Sequence, residues 1–329
     1  MSPADLGGGV WSVPVPIPGN PLGYTLVYAL ESAGGPVLVD AGWSHPDAWA
    51  ALSSGLAAIG MDVAGVRGVV VTHHHPDHAG LAGRVREASG AWIAMHEADA
   101  RIVRLFRQVV ADGTHRGFQA GMLRRAGADE DETAEVLGEV VDPPAAPDRD
   151  LADGELVDLP GRRLRAIWTP GHSPGHICLH LEDADRLFTG DHVLPGITPH
   201  IGLFPLDDPD ADPLGEFLSS LARIASLGEL EALPAHQWTF HGTAARAREI
   251  ADHHEERLAE LLDVLGEAAR PLTLWETARG MRWNKPWEEL PPVLRRLAAA
   301  EAAAHLRLLE RRGRASRTDG DGTLFYSLT

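Results

Sequence analysis

The sequence predicts a mixed α/β domain of packed layers, with a helical excursion and a small appended tail. Three observations predict it. Short runs with strand character open the chain, separated by the turn signals Pro18-Gly19-Asn20-Pro21 and Gly34-Gly35. Helical periodicity then alternates with apolar strand-like runs. Finally, four strand-like runs lead into turns that carry histidine or aspartate, around residues 72–78, 169–176, 189–192 and 234–236.

Taken in order, residues 10–15, 22–31 and 36–40 read as an antiparallel meander. Residues 45–59 read as a helix, with Trp49, Leu52, Leu56 and Ile59 at helical spacing and Gly60 as its stop. Residues 66–72 have the apolar character of a strand buried on both faces. A helix is expected over 78–88 and a strand over 91–95. From 97 to about 141 the pattern is helical. Ile102, Val103, Leu105, Phe106 and Val109 form one stripe, Phe118, Met122 and Leu123 a second, and the acidic run 129–132 opens a third helix. The proline-rich stretch 142–147 returns the chain to strands at 155–159, 163–169, 176–181 and 186–189. A helix at 214–227, a strand at 230–234 and a long helix at 243–265 complete the first domain. The expected division is a catalytic domain at 1–266, with its helical insertion at about 97–147, and a C-terminal unit at 267–329. That unit's helices (272–281 and 291–312) and hairpin (314–317 with 323–328) look like a winged helix.

Composition narrows the chemistry. A chain of 329 residues can bury a sizeable core without staples. Cys178 is the only cysteine, which excludes a disulfide framework and a cysteine-rich zinc site; its alternation with apolar neighbours places it in the core. Any metal must therefore be held by His, Asp or Glu. The formal net charge of -18 disfavours nucleic acid and anionic membranes as partners. No run of about 18 apolar residues and no export-type leader is visible, so the expected location is the cytoplasm.

The densest chemistry lies in His73-His74-His75-Pro76-Asp77-His78. In a tight turn after a strand, residues two apart project to the same side, so His73 and His75 can grip one cation. Asp77 and His78 open the next helix, whose dipole favours an ionised carboxylate, and can grip a second. His74 is expected to face away. His172 leaves the end of a later strand as a further ligand, while His176 reads as a core or supporting residue. Asp191 carries two oxygens and is placed to bridge two cations, and Gly190 permits close backbone approach. His236 follows a strand in the same manner. Asp40 is a candidate for fixing a histidine tautomer. Trp43, His192, His200 and Phe204 are candidates for substrate contact, with Trp43, Phe118 and Phe204 as lining of an apolar pocket. His253-His254, beside two glutamates, reads as a solvated helix face.

In their order and context, His73, His75, Asp77, His78, His172, Asp191 and His236, with the early turn Asp40-Ala41-Gly42, resemble the metallo-β-lactamase superfamily of metal-dependent hydrolases over roughly residues 10–265. The resemblance implies an αββα sandwich with its site at the sheet edges. It implies one metal on His73, His75 and His172, a second on Asp77, His78 and His236, and Asp191 between them. The implied cofactors are two divalent metal ions, zinc first, with iron or manganese as alternatives. A hydroxide bridging them would attack an electrophilic carbon, with Asp77 as the catalytic residue that orients the nucleophile or passes on its proton. Two departures stand out. Ala235 precedes the last ligand where the family usually has glycine, and Asp191 stands where antibiotic-hydrolysing members commonly use cysteine. The expected activity is hydrolysis of an ester-type bond (thioester, lactone or ester) in a small to medium, partly apolar substrate. The alternatives are a mononuclear iron sulfur dioxygenase and a metal-dependent ribonuclease. The tail motivates the latter, although Arg311, Arg312, Arg314 and Arg317 read as a solvated or interface patch. The expected partners are a small-molecule substrate and, as one reading of the tail, a second copy in a homodimer.

Overall fold

Alternation along one early strand sets the architecture. Val27 and Ala29 pack into a core shared with Leu52, Leu56 and Val85 from helices, while Leu26, Tyr28 and Leu30 point the other way, into a core shared with Ala166, Leu179, Phe188 and Leu233 from a second sheet. A strand buried on both faces can only be the middle of a sandwich. This computed structural model describes residues 2–137, 142–204 and 206–329. They divide into two compact units, Met1–Arg107 with Val141–Pro199 and Ser219–Arg248, and Gln108–Val140 with His200–Leu218 and Glu249–Thr329.

The first unit holds two sheets. Strands β1 (Ala4–Asp5), β2 (Val10–Pro16), β3 (Tyr24–Leu30), β4 (Val37–Val39), β5 (Gly68–Val70), β6 (Trp92–His96) and β7 (Arg149–Leu151) lie side by side in sequence order. Pairing is antiparallel as far as β4 and parallel beyond it. Strands β8 (Leu164–Trp168), β9 (Ile177–Leu181), β10 (Arg186–Gly190) and β11 (Glu231–Pro234) form the second sheet in the order β11-β10-β9-β8, with β10 and β11 parallel. Tyr28 links the sheets: its ring meets Phe188 edge-on at 5.1 Å and its hydroxyl donates to Pro234 O at 2.7 Å. The expected α/β layering is observed.

Helix α1 (Pro46–Ala58) starts on His45, whose ring nitrogen accepts from Asp47 N at 3.1 Å. It ends in a Schellman arrangement, Met61 N to Leu56 O and Gly60 N to Ala57 O, with Gly60 at φ +78°. The single helix expected over 78–88 is instead two, α2 (Pro76–Ala79) and α3 (Ala82–Ser89). The break has a cause. The chain at 78–81 hydrogen-bonds to the early turn, Ala41 N to His78 O and Leu81 N to Gly42 O, and a Cβ on Gly80 would lie 2.6 Å from Ser44 N. The expected strand at 155–159 is also corrected. It makes only a Leu156–Arg165 bridge, because Glu155 folds back to accept from Ala152 N. Helix α4 (Glu97–Ala111) opens the helical excursion, whose expected end near 141 lies outside the described residues.

In the second unit α5 (His115–Ala126) and α6 (Glu130–Val136) follow, the latter started by an Asp129–Glu132 capping box. Helices α7 (Pro213–Ala225) and α8 (Thr243–Glu267) have residues in both units. The tail contributes β12 (Leu272–Thr273), α9 (Leu274–Gly280), α10 (Pro292–Arg311), β13 (Ala315–Gly320) and β14 (Thr323–Leu328), its sheet ordered β12-β14-β13. The expected hairpin is there, turning on Asp321-Gly322, both at positive φ. Compactness does not divide the chain at 266/267: the tail groups with the helical excursion. The solvated face expected at His253-His254 is wrong for His254. It is 2% exposed, with Phe217 edge-on and His305 Nε2 3.2 Å from its Nδ1. Among the described residues no helix is long and apolar enough to cross a membrane.

Candidate metal centre

The two sheets deliver their chain ends to one place in the first unit. After β5 come His73 and His75, then Asp77 and His78 in α2. After β8, β10 and β11 come His172, Asp191 and His236. His73 Nε2 lies 3.0 Å from His75 Nδ1 and 3.2 Å from His172 Nε2. His236 Nε2 lies 3.4 Å from both Asp77 Oδ2 and Asp191 Oδ1, and His78 Nε2 lies 3.5 Å from Asp191 Oδ1. The other oxygen of Asp191 faces His172 Nε2 at 3.6 Å. Three ligand groups result, each with donor atoms within 4.8 Å of one another: His73/His75/His172, His73/His78/Asp191 and Asp77/His78/His236. All seven residues singled out in the sequence are thus brought together.

The donors are aimed by what their other atoms do. His78 Nδ1 donates to Asp40 at 2.8 Å and His236 Nδ1 to Tyr24 O at 3.0 Å, so each ring turns its Nε2 inward. His78 Nε2, His236 Nε2 and Asp191 Oδ1 are buried and have no hydrogen-bond partner. Orphaned atoms of this kind cost about 1–3 kcal/mol each in an interior. Five imidazoles and two carboxylates converging here make donor groups that fit divalent metal ions.

A family model for the metallo-beta-lactamase superfamily matches residues 20–236. The chain belongs to that superfamily. A metallo-beta-lactamase family protein from Thermus thermophilus is 35% identical, with a TM-score of 0.81 over 99% of this chain and 100% of that one. A beta-lactamase domain protein from Burkholderia ambifaria is 28% identical, with a TM-score of 0.84 over 99% and 94%. The lactamase-like protein nscB of Neosartorya fischeri is 32% identical over 46% of this chain and 47% of its own length. The chain matches less than half the length of such curated relatives.

Within this metallo-beta-lactamase fold the two sides of the cluster differ electrostatically. Burial, then the neighbouring imidazoles, holds His73 and His75 well below the ordinary histidine range, so both are neutral. At His78 burial is opposed and outweighed by Asp191, Asp77 and Asp40, and its pKa rises. At His236 burial is likewise outweighed, chiefly by Asp191, and the pKa is pushed up to about 10. The Asp191 carboxyl sits well below the usual range because His236 and His78 outweigh its burial. One side presents neutral nitrogen; the other favours positive charge.

Supporting residues complete the picture. Asp40, at φ +61°, accepts from Thr72 N and His78 Nδ1 at 2.8 Å each, which gives the early aspartate its positioning role. His176 is buried. Its Nε2 accepts from Asp191 N at 3.2 Å, so its Nδ1 carries the proton, 2.9 Å from Thr169 Oγ1. A Cβ on Gly190 would lie 2.7 Å from that Nε2, the close approach expected of this glycine. Ala235 is tied between Leu26 N and Gly190 O, so the turn closes without the family's usual glycine. His74 lies outside the ligand groups, as expected.

Sequence reasoning missed Asp99. This fully buried carboxylate accepts from His74 N (2.7 Å), Ser173 Oγ (2.8 Å) and Gly175 N (2.6 Å), and lies 3.0 Å from His74 Nδ1. It ties the His73–His75 turn to the His172 turn. The available signal was phase: Asp99 falls on the stripe of Ile102, Val103 and Phe106, where an acid is out of place. Among the proposed substrate contacts, His192 is buried 5.8 Å from His176, and Trp43 is partly buried in the first unit. His200 and Phe204 belong to the second unit, where His200 Nε2 lies 2.8 Å from Leu297 O.

Proposed function

We propose that the protein is a dinuclear metal-dependent hydrolase of an ester-type bond, a thioester, lactone or carboxylic ester, in a small to medium, partly apolar substrate. The observation that carries this reading is Asp191, one oxygen toward His172 and the other toward His78 and His236. His73, His75 and His172 would hold one cation and Asp77, His78 and His236 the other, with zinc the first choice. Bound there, such cations would lower the pKa of a water toward ~7 and polarise a carbonyl oxygen. Asp77 contributes by its charge state. Burial opposes ionisation, but His78 and His236 outweigh it and hold the carboxyl low, so at neutral pH it is ionised.

The tail gives little support to a nuclease. Arg312 is paired with Glu255 at 2.7 Å and Arg311 with Asp212 at 3.6 Å, while Arg317 shares Glu310 with Arg307, so the basic patch is partly neutralised. The test combines metal quantification with a panel of thioesters, lactones, carboxylic esters and phosphodiesters. Two divalent ions per chain and turnover of a carbon ester are expected, with both lost in Asp191→Ala and reduced in His75→Ala. One iron per chain with oxygen uptake, or phosphodiester cleavage alone, would overturn the reading.

A further inference from the structure

Helix α5 carries Gly117 and Gly121, one turn apart. A glycine in a helix costs about 1 kcal/mol against alanine, and a crowding neighbour usually accounts for it. Here none does: a Cβ added to either residue would meet nothing within 4 Å. Both border a cavity of about 630 Å³ built wholly within the second unit. Helix α10 borders it with Ala299, Ala300 and Ala303. Small residues on two helices thus line an open cleft whose volume is ordinary for a bound small molecule.

The rest of the lining divides by chemistry. Phe118, Met122, Leu203, Phe204, Leu274 and Leu324 make an apolar body, with Phe118 left 49% exposed. Arg307, Glu310, Arg317 and Tyr326 make a polar patch. Arg307 Nε lies 3.5 Å from one oxygen of Glu310 and Arg317 Nε 3.4 Å from the other. Two guanidiniums therefore share a single carboxylate, and the patch keeps one net positive charge. Arg125, also on the lining, is paired with Asp319 at 3.3 Å and adds none.

We propose that this cavity binds an amphiphilic monoanion, an apolar chain or ring system bearing one carboxylate. The body lies among the apolar side chains and the carboxylate beside Arg307 and Arg317. The site rests on the second unit alone and is independent of the metal-centre reading.

Calorimetric titration of the full chain with dodecanoate, below its micellar range, tests it. Dodecanol and dodecyltrimethylammonium serve as uncharged and cationic controls. One dodecanoate per chain is expected, bound at least tenfold more tightly than either control. Gly121→Leu fills the space and weakens all binding at least tenfold, while the thermal midpoint holds or rises because helix propensity improves. Gly117→Ala raises the midpoint with a smaller loss of binding. Arg317→Ala removes the preference for dodecanoate over dodecanol. Chelator-stripped protein binds dodecanoate as the metal-loaded protein does. The proposal falls if dodecanoate binds no better than the cation, or if Gly121→Leu and Arg317→Ala leave its affinity unchanged. It also falls if stripping the metal abolishes binding, which would move the ligand to the metal centre.

Discussion

Asp99 offers the sharpest test of how the centre is held. Replacing it with alanine leaves His74 N and Gly175 N, two backbone donors that cannot turn away, without their acceptor. At about 1–3 kcal/mol for each buried unpaired donor, the loss is roughly 2–6 kcal/mol. Asparagine separates charge from shape. Its carbonyl can stand where Oδ2 stands and keep the bonds to His74 and Ser173, but its amide then faces the Gly175 N–H, donor to donor. One charge-assisted bond is lost, at about 1.5–3 kcal/mol. On the proposed dinuclear reading, Asp99 joins the turns that carry His73, His75 and His172, so a cation held on that side should loosen roughly 10–100-fold, the usual effect of removing a residue that orients a ligand. A cation held by Asp77, His78 and His236 should not, since Asp40 and Tyr24 aim those rings. Thermal melting of chelator-stripped protein reads the structural part, and competition with a graded chelator reads each cation. A single displaced step is expected in Asp99→Asn. If both variants melt within about 0.5 kcal/mol of the parent and release both metals as the parent does, the linkage through Asp99 is wrong.

Three further outcomes are expected. Gly175→Ala would place a Cβ 2.3 Å from Asp99 N, so it should lower metal content and melting temperature together; an unchanged pair of values would show that the turn relaxes freely. Burial, then His305 and His253, lowers the pKa of His254 to about 2 from an ordinary 6.5, so above pH 6.5 neither state is charged and stability is full. Below it the unfolded chain takes a proton that the folded one refuses, at about 1.4 kcal/mol per pH unit. Between pH 7.5 and 5, denaturant midpoints of the parent should therefore fall by about 2 kcal/mol more than those of His254→Gln, and parallel slopes would remove His254 as the cause. Thr273→Ala should cost about 1 kcal/mol by opening the Thr273–Glu276 capping box, read by thermal melting; a variant as stable as the parent would make that cap irrelevant.

The ligands were legible because metal chemistry needs few residue types in fixed local contexts. His73, His75, Asp77 and His78 follow an apolar strand, and His172, Asp191 and His236 each follow another. The layers were legible from short strand-like runs set off by turn signals, followed by alternating helical and apolar runs. What escaped depended on contacts distant in sequence. The break at Gly80 is imposed by the turn at residues 42–44, the strand Arg149–Leu151 has a single buried residue, and the out-of-phase acid Asp99 takes its meaning from Ser173 and Gly175, 74 and 76 positions away. His254 was misread because its neighbours Glu255 and Glu256 are exposed while its own face meets Phe217 and His305.

The two sheets carry their donors to opposite sides of one seam. His73 and His172, whose nitrogens stand 3.2 Å apart, are separated by 99 positions in the chain. Pairing so remote is entropically slow to form, so neither sheet alone offers a cation a full set of donors during folding. On the proposed reading, a cation held by donors from both sheets would act as a late rivet across the seam, stabilising only the state in which both sheets have already met. Its loading would then follow, and not precede, the meeting of the two sheets.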